Sequence, residues 1–460
     1  MKNIFSKDIN MVEGNLFSKI TLYSIPLILS ALLQLFYTAC DLVVCGRFGT
    51  THSVGAISAT NAFSSLLVNL FIGLSMGANV VMAKAYGADD KEKGKRIAYS
   101  SLILSSIAGV IVMGVMLAIA RPGLKLMGTP NDIIDLSTQY MMIYASGIPF
   151  ILIYNFGASI LRAIGDSRRP FYILFSSGIL NIGLNLLFVI PLHMDVAGVA
   201  TATAISMAYS AVMVIICMIK GKGFFVFKFK ELRIYKTETS EVLKVGLPVG
   251  IRNTLFSFSN ILIQSSINKL ANTYSVFLND GSGAASSIEG FMYVAMNQVA
   301  CACASFVSAN NGAKNAKNIK KTIYYSLILL TIVWAITFAI MYPLKRQIAK
   351  IYISEEEAIQ YALERMIIIL PTYLLCGYQE LFGNAMTGMG KSLISMIITV
   401  IGIIGFRIFW IYVVFPHDPF FSLGGLVWSY PISWTLLIVA LIIGDIIIFK
   451  KLAKSFSNVK

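Results

Sequence analysis

Most of this chain is apolar, so the polar side chains that interrupt its long apolar runs are conspicuous. Asp41 lies in the first run, on the helical face that Gln34 occupies two turns earlier. Asn181 and Asn185, four apart in another run, present two amides on one face. Glu289 has Tyr293 and Asn297 on its own face, and Glu380 has Asn384 one turn on. Arg407 stands in a run near the C-terminal end. An ionisable side chain in hydrocarbon costs several kcal/mol unless it is paired or faces water, so each of these is a candidate for function. Carboxylates of this kind take up a proton or a cation, and amide oxygens help to surround a small hard cation. Other readings stay open beside this one. Asp41 could reach water from the outer end of its helix, the asparagines could hydrogen-bond between helices, and Arg407 could be the structural partner of either glutamate. Arg252 is read as interfacial and Arg162 as an anchor of an inner loop.

The composition says what carries these residues. Of 460 residues, 57% are hydrophobic and 13% charged, and the mean hydropathy is +0.76. A soluble domain carries about 25% charged residues, so a bilayer is the solvent that suits this chain. About 20 apolar residues cross the hydrocarbon as a helix. Such runs lie at about 20–45, 53–82, 97–120, 133–159, 170–191, 196–219, 241–268, 284–310, 322–343, 358–386, 392–415 and 422–449. The expected fold class is all-α integral membrane, with about twelve transmembrane helices. Basic residues concentrate in alternate loops, at Lys91 to Arg96, Arg162 to Arg169, Lys220 to Lys244 and Lys314 to Lys321. By the positive-inside rule these loops and both termini are cytoplasmic and the protein is a multi-pass protein of the cell membrane. The net charge of +15 reflects that rule and attraction to anionic lipid. It implies no nucleic acid, since no soluble basic domain exists. The stretch Phe224 to Lys230 alternates aromatic and basic residues and is expected on the inner membrane surface. The six cysteines lie in apolar stretches without paired spacing and read as small packing residues. The polar segment up to Lys19 lacks the apolar core of a cleaved signal peptide.

The two halves echo each other. Pro26 recurs as Pro248, Tyr86-Gly87-Ala88 as Asn311-Gly312-Ala313, Arg162-Ala163-Ile164-Gly165 as Thr387-Gly388-Met389-Gly390, and Ile205-Ser206 as Ile432-Ser433. The offset drifts only from 222 to 227. The expected organisation is an N-lobe over 1–225, a cytoplasmic linker over 226–240 and a C-lobe over 241–460. Six spans per repeat give both lobes the same orientation, related by a pseudo-two-fold along the membrane normal with a site between them, which is the plan of a secondary transporter.

Several of these anchors also resemble the multidrug and toxic compound extrusion (MATE) family. Leu32-Leu33-Gln34-Leu35-Phe36-Tyr37 followed by Asp41, Gly46-Arg47 and Gly49 is similar to its first-helix signature. Ala83 to Ala88, Leu161 to Asp166 with Pro170, and Val196 to Ala200 with Ala202-Thr203 resemble the end of helix two, the loop before helix five and the start of helix six. The resemblance covers nearly the whole chain. It implies a V-shaped, two-lobed fold and antiport, in which entry of H+ or Na+ drives export of amphipathic, often cationic, compounds. It implies that Asp41 is the coupling carboxylate and that Asn181 and Asn185 face it. The family pattern there is N-x-x-x-D, and this chain departs from it by carrying Asn185 in place of the aspartate. Thr203 matches a hydroxyl ligand, so Na+ could sit among Asp41, Asn181, Asn185 and Thr203. Glu289, Tyr293, Asn297, Glu380, Asn384, Arg407 and Gln34 are then expected at a substrate cavity whose charge leans acidic and attracts cations.

No cofactor is expected beyond the coupling ion. The partners expected are small cationic molecules and membrane lipid, and the protein is expected to be a monomer. His52, His193 and His417 show no paired metal-ligand spacing and no GxxxxGK[ST] loop occurs, so an enzyme or ATP-driven pump is not expected. The nearer alternative is a lipid-linked saccharide flippase, which would favour arginine and lysine in its cavity. Many methionines and aromatics suit a re-packable binding surface.

Overall fold

The computed structural model describes residues 9–50, 52–126, 128–221 and 224–457, with no description of the side chains of 61–67 and Phe229. The extreme tails, counted above as cytoplasmic, lie partly outside these residues. All regular structure among the described residues is helical. The first half runs α1 (Leu16–Phe48), α2 (Ser53–Gly87), α3 (Lys91–Leu126), α4 (Ile134–Ala163), α5 (Arg168–Val189) and α6 (Asp195–Lys220). The second runs α7 (Lys236–Thr273), α8 (Phe277–Gly312), α9 (Ala316–Met341), the short α10 (Lys345–Tyr352) and α11 (Glu356–Gly388). It closes with α12 (Ser392–Thr399), α13 (Phe406–Phe409), α14 (Leu423–Val427) and α15 (Ser429–Ser457).

Eleven helical segments among the described residues are long and apolar enough to cross a membrane, taking Ser392–Val414 as one and Leu423–Ser457 as another. The twelfth expected span corresponds to α7. Its 38 residues have the length, but Arg252, Asn253, Ser259, Asn260, Gln264 and Asn268 make it more polar than a lipid-facing helix. Outward positions elsewhere are apolar, as at Ile107, Val110 and Ile111 of α3, because lipid rather than water faces them.

The chain divides into two compact units. One comprises Ile25–Gly250 with the described residues before Val12, and the other comprises Val12–Ser24 with the residues from Ile251 on. The first is filled by Met82, Tyr99, Tyr154, Phe156 and Ile160 around α2, α3 and α4. The second is filled by Ile263, Ile267, Trp410, Phe415 and Trp434.

Backbone detail repeats with the sequence. At the end of α2, Asp90 N–H donates to Ala85 C=O and Asp89 N–H to Tyr86 C=O; at the end of α8, Asn315 donates to Asn310 and Lys314 to Asn311. Asp89 and Lys314 share a φ of 53°. The ends of α4 and α11 close alike, with Asp166 donating to Leu161 and Lys391 to Met386, and the turn residues Gly165 and Gly390 have φ of 91° and 79°. These paired bonds are the Schellman closure of a helix. The last two turns need glycine, since other side chains rarely adopt that φ.

Within the first unit α2 crosses the first turns of α7 at glycines. A Cβ on Gly77 would lie 2.6 Å from Gly246 Cα, and Gly73 meets Gly250 in the same way. Such contact of small residues is how membrane helices pack closely. Gly77→Val is expected to lower stability by about 1–3 kcal/mol through overpacking, read as a lower melting temperature of the purified protein. An unchanged melting temperature would mean that the two helices can separate at no cost.

The alternation of the Phe224–Lys230 stretch separates two faces, with Val226, Lys228 and Lys230 exposed. Phe225 and Phe227 are buried in the core of the first unit, with Phe227 edge-on to Tyr99 at 5.1 Å. Lys228 N–H donates to Tyr99 Oη and Tyr235 N–H to Ser100 Oγ, both at 3.0 Å. Lys95 pairs with Glu231, and its hydrogen bond holds that carboxyl below the usual carboxylate range. Of the contacts that hold the stretch, Tyr99 and Ser100 belong to α3.

Candidate functional site

Helices α1, α5 and α6 bring the expected ion-coupling residues of the first unit together. Asn185 Nδ2 donates to Asp41 Oδ1 at 2.5 Å and to Asn181 Oδ1 at 3.3 Å. Asn181 Nδ2 donates to Thr203 Oγ1 at 3.3 Å, and Thr203 also hydrogen-bonds Asp41. The i, i+4 spacing on α5 sets both amides toward α1 and α6. Both asparagines are buried, Asp41 is half-buried, and Asn185 Oδ1 has no protein partner. The set is one carboxylate, one hydroxyl and two amides, of which Asn185 spends its N–H groups on Asp41 and Asn181, and Asn181 donates to Thr203. Ser177, one turn before Asn181, donates instead to the Ser206 carbonyl. Gln34 is exposed, and Thr38 donates to its backbone carbonyl.

The second unit arranges its charges differently from expectation. Arg407 pairs with neither glutamate. Glu289 is held by Arg365, whose Nε and Nη2 donate to the two carboxylate oxygens at 3.0 and 2.9 Å, while Nη1 donates to Ser282. Glu380 pairs with Arg252 at 3.7 Å. Arg252, expected at the interface, is buried because that partner draws it in. Arg407 is fully buried and donates through Nη1 to Ser259 and Asn260 of α7. Tyr293 stacks on Phe256, Asn297 is half-buried, and Asn384 is buried and donates to the Glu380 carbonyl.

Sequence reading missed Arg365 and Asp445. Arg365 stands nine residues into α11, where it reads as a helix-end charge, yet its side chain is buried. Asp445 is a buried carboxylate on α15 with neither oxygen bonded. Its place in the apolar run was a sufficient signal, but the lysines that follow, Lys450 and Lys451, made it look terminal. Charge inside this unit therefore does not lean acidic: the buried Arg252, Arg365 and Arg407 stand against the buried Glu289 and Asp445 and the half-buried Glu380. The inference from acidity to cationic substrates loses its support here.

Residues 26–187 and again 248–413 match the sequence profile of the family described as MatE. The chain is 26% identical over 404 residues, 86% of each chain, to the Bacillus subtilis protein named "Probable multidrug resistance protein YoeA". It is 23% identical over 420 residues, 91% of each, to the multidrug export protein MepA of Staphylococcus aureus. Its fold matches that of an outward-facing multidrug resistance MATE family transporter of the MOP superfamily with a TM-score of 0.90, at 21% identity over 97% of this chain and 99% of that one. A MOP superfamily transporter from Pyrococcus furiosus matches with the same score, identity and coverage.

Proposed function

The chain belongs to the MATE family, and we propose that it is a proton-coupled antiporter exporting amphipathic, drug-like compounds. It is a multi-span membrane transporter of that family and not an enzyme. The names of its relatives, multidrug resistance and multidrug export proteins, support multidrug efflux as its work. The observation that carries the coupling reading is the Asn185–Asp41 hydrogen bond within the buried α1–α5–α6 cluster.

The polarity of that cluster favours a proton over sodium. A sodium ion needs about six oxygens turned toward it, yet Asn185 and Asn181 both turn N–H groups into the cluster. A proton needs less. When Asp41 takes one, its O–H can donate to Asn185 Oδ1 after a half-turn of the amide, and that oxygen has no protein partner to lose. The amide thus suits both protonation states of Asp41. The family aspartate at this position would add a second charge and suit a hard cation better.

The test is uptake of fluorescent amphipathic compounds, cationic and neutral, into inside-out vesicles. An imposed proton gradient in sodium-free medium is expected to drive accumulation. Uptake that requires a sodium gradient instead would replace the proton by sodium, and uptake under neither gradient would remove ion coupling. The orientation proposed for the cell membrane places both termini, Lys228 and Lys317 in the cytoplasm, with Lys125 and His417 outside. Single cysteines at these positions should label from those sides only; outside labelling at 228 would invert the orientation.

A further inference from the structure

The internal repeat sets a residue of opposite charge at the counterpart of the Asp41 cluster. The two family matches end at 187 and 413, and the same offset carries Asn181 to Arg407. Ile205-Ser206 recurs as Ile432-Ser433, which carries Thr203 to Tyr430. The helix equivalent to α1 is α7, which contributes Ser259 and Asn260. The first, fifth and sixth helical segments of each repeat therefore converge on polar side chains in both units. In the first unit the ionisable group is a carboxylate; in the second it is a guanidinium.

Arg407 is fully buried. Its Nη1 meets Ser259 Oγ at 3.0 Å and Asn260 Oδ1 at 3.1 Å, and its Cζ lies 4.3 Å from the Tyr430 ring centre. Nε and Nη2 have no hydrogen-bond partner, and no carboxylate among the described residues pairs with it. Glu289 and Glu380 are engaged by Arg365 and Arg252. Arg365 lies over the same ring, at 5.6 Å, so two guanidiniums share Tyr430 with one carboxylate between them. A buried, unpaired cation with unmet donors is costly, and the unmet Nε–Nη2 edge is the fork that binds carboxylates in parallel. The helix on either side is π-wound, at Val400–Gly405 and Trp410–Val414, and such turns are frequent at functional sites.

We propose that Arg407, with Ser259, Asn260 and Tyr430, is an anion-binding site of the second unit, taking a monovalent anion on its free guanidinium edge. That anion is a small ion from solution or the carboxylate of a transported amphiphile. The second source rests on the export function proposed above, and the first does not.

Two arms separate the sources. In the first, purified full-length protein is melted as chloride or formate replaces isethionate at constant ionic strength. A saturable rise on the order of 3 °C is expected for the wild type at about ten times Kd. Arg407→Gln should lack the rise. Asn260→Asp, which puts a carboxylate beside the guanidinium, should lack it too and guards against misfolding of the arginine variant. In the second, proteoliposomes transport a carboxylate-bearing amphiphile and its primary amide. The wild type is expected to prefer the acid by about tenfold, the worth of one charge-assisted hydrogen bond, and Asn260→Asp to lose that preference. A melting response alone assigns a free anion, and an acid preference alone assigns the substrate carboxylate. Absence of both in the wild type, or equal responses in the wild type and Asn260→Asp, overturns the site whether or not the protein exports drugs.

Discussion

Asp41→Asn is expected to abolish the proposed gradient-driven export in reconstituted vesicles while leaving the protein folded and able to bind its substrates. The amide oxygen at position 41 can still accept from Asn185 Nδ2 as the carboxylate does now at 2.5 Å, so the contact among α1, α5 and α6 survives. In the proposed mechanism, what is lost is the exchangeable proton. A coupling ion drives alternation only through different affinities for two states, and a group that cannot change its charge shifts nothing. Substrate binding by the variant should stay within a few-fold of wild type in equilibrium measurements, while uptake under an imposed proton gradient falls to the level seen without one. Asn185→Asp should move the preference the other way, toward sodium, because two carboxylates suit a hard cation better than one. Full gradient-driven export by Asp41→Asn would eliminate the first-unit cluster from the mechanism and leave Asp445, a buried carboxylate with neither oxygen bonded, as the next candidate.

Arg365→Gln should be the most damaging single change to stability in the second unit. It strips both hydrogen bonds from Glu289 and leaves a carboxylate buried in the α8–α11 interface. Breaking such a pair costs about 3–5 kcal/mol, a large fraction of the roughly 5–15 kcal/mol that holds a domain folded. The purified variant is expected to give little monodisperse protein in size-exclusion chromatography. Adding Glu289→Gln should restore most of the yield, because a neutral amide pair at the same place no longer buries an unpaired charge. If the double variant is as poor as Arg365→Gln, the arginine acts through its contacts with Ser282 and the Tyr430 ring rather than through the charge of Glu289.

Apolar run length and the drift of the repeat were enough to place the helices, because both properties belong to the chain itself. The two family matches fall on the two halves, and the Schellman closures at Gly165 and Gly390 repeat where Arg162-Ala163-Ile164-Gly165 and Thr387-Gly388-Met389-Gly390 had marked a correspondence. The Asp41 cluster was legible because one helical spacing joined its two asparagines and the resemblance supplied the other helices. Pairing across helices was not legible. Glu289 and Arg365 are 76 positions apart, and nothing in either local sequence prefers Arg365 to Arg407 as partner. Only the crossing of α8 with α11 decides it. The polarity of α7 could be read but not interpreted: Ser259 and Asn260 look like breaks in a span until the guanidinium they hold is seen.

The segment between the halves is fastened rather than free. Loops that join duplicated domains are the usual places to insert a tag or divide a gene, since exposed, unbonded backbone tolerates both. Here Phe225 and Phe227 are sunk in apolar side chains, the amides of Lys228 and Tyr235 are spent on Tyr99 and Ser100, and Glu231 is tied to Lys95. A fluorescent protein spliced in at Val226 would have to evict two aromatic rings to find room. A fragment ending at Lys220 would leave the groove over Tyr99 open and greasy, whereas one extended through Tyr235 would carry its own cover. For anyone wishing to express the halves separately, the strap is part of the first piece.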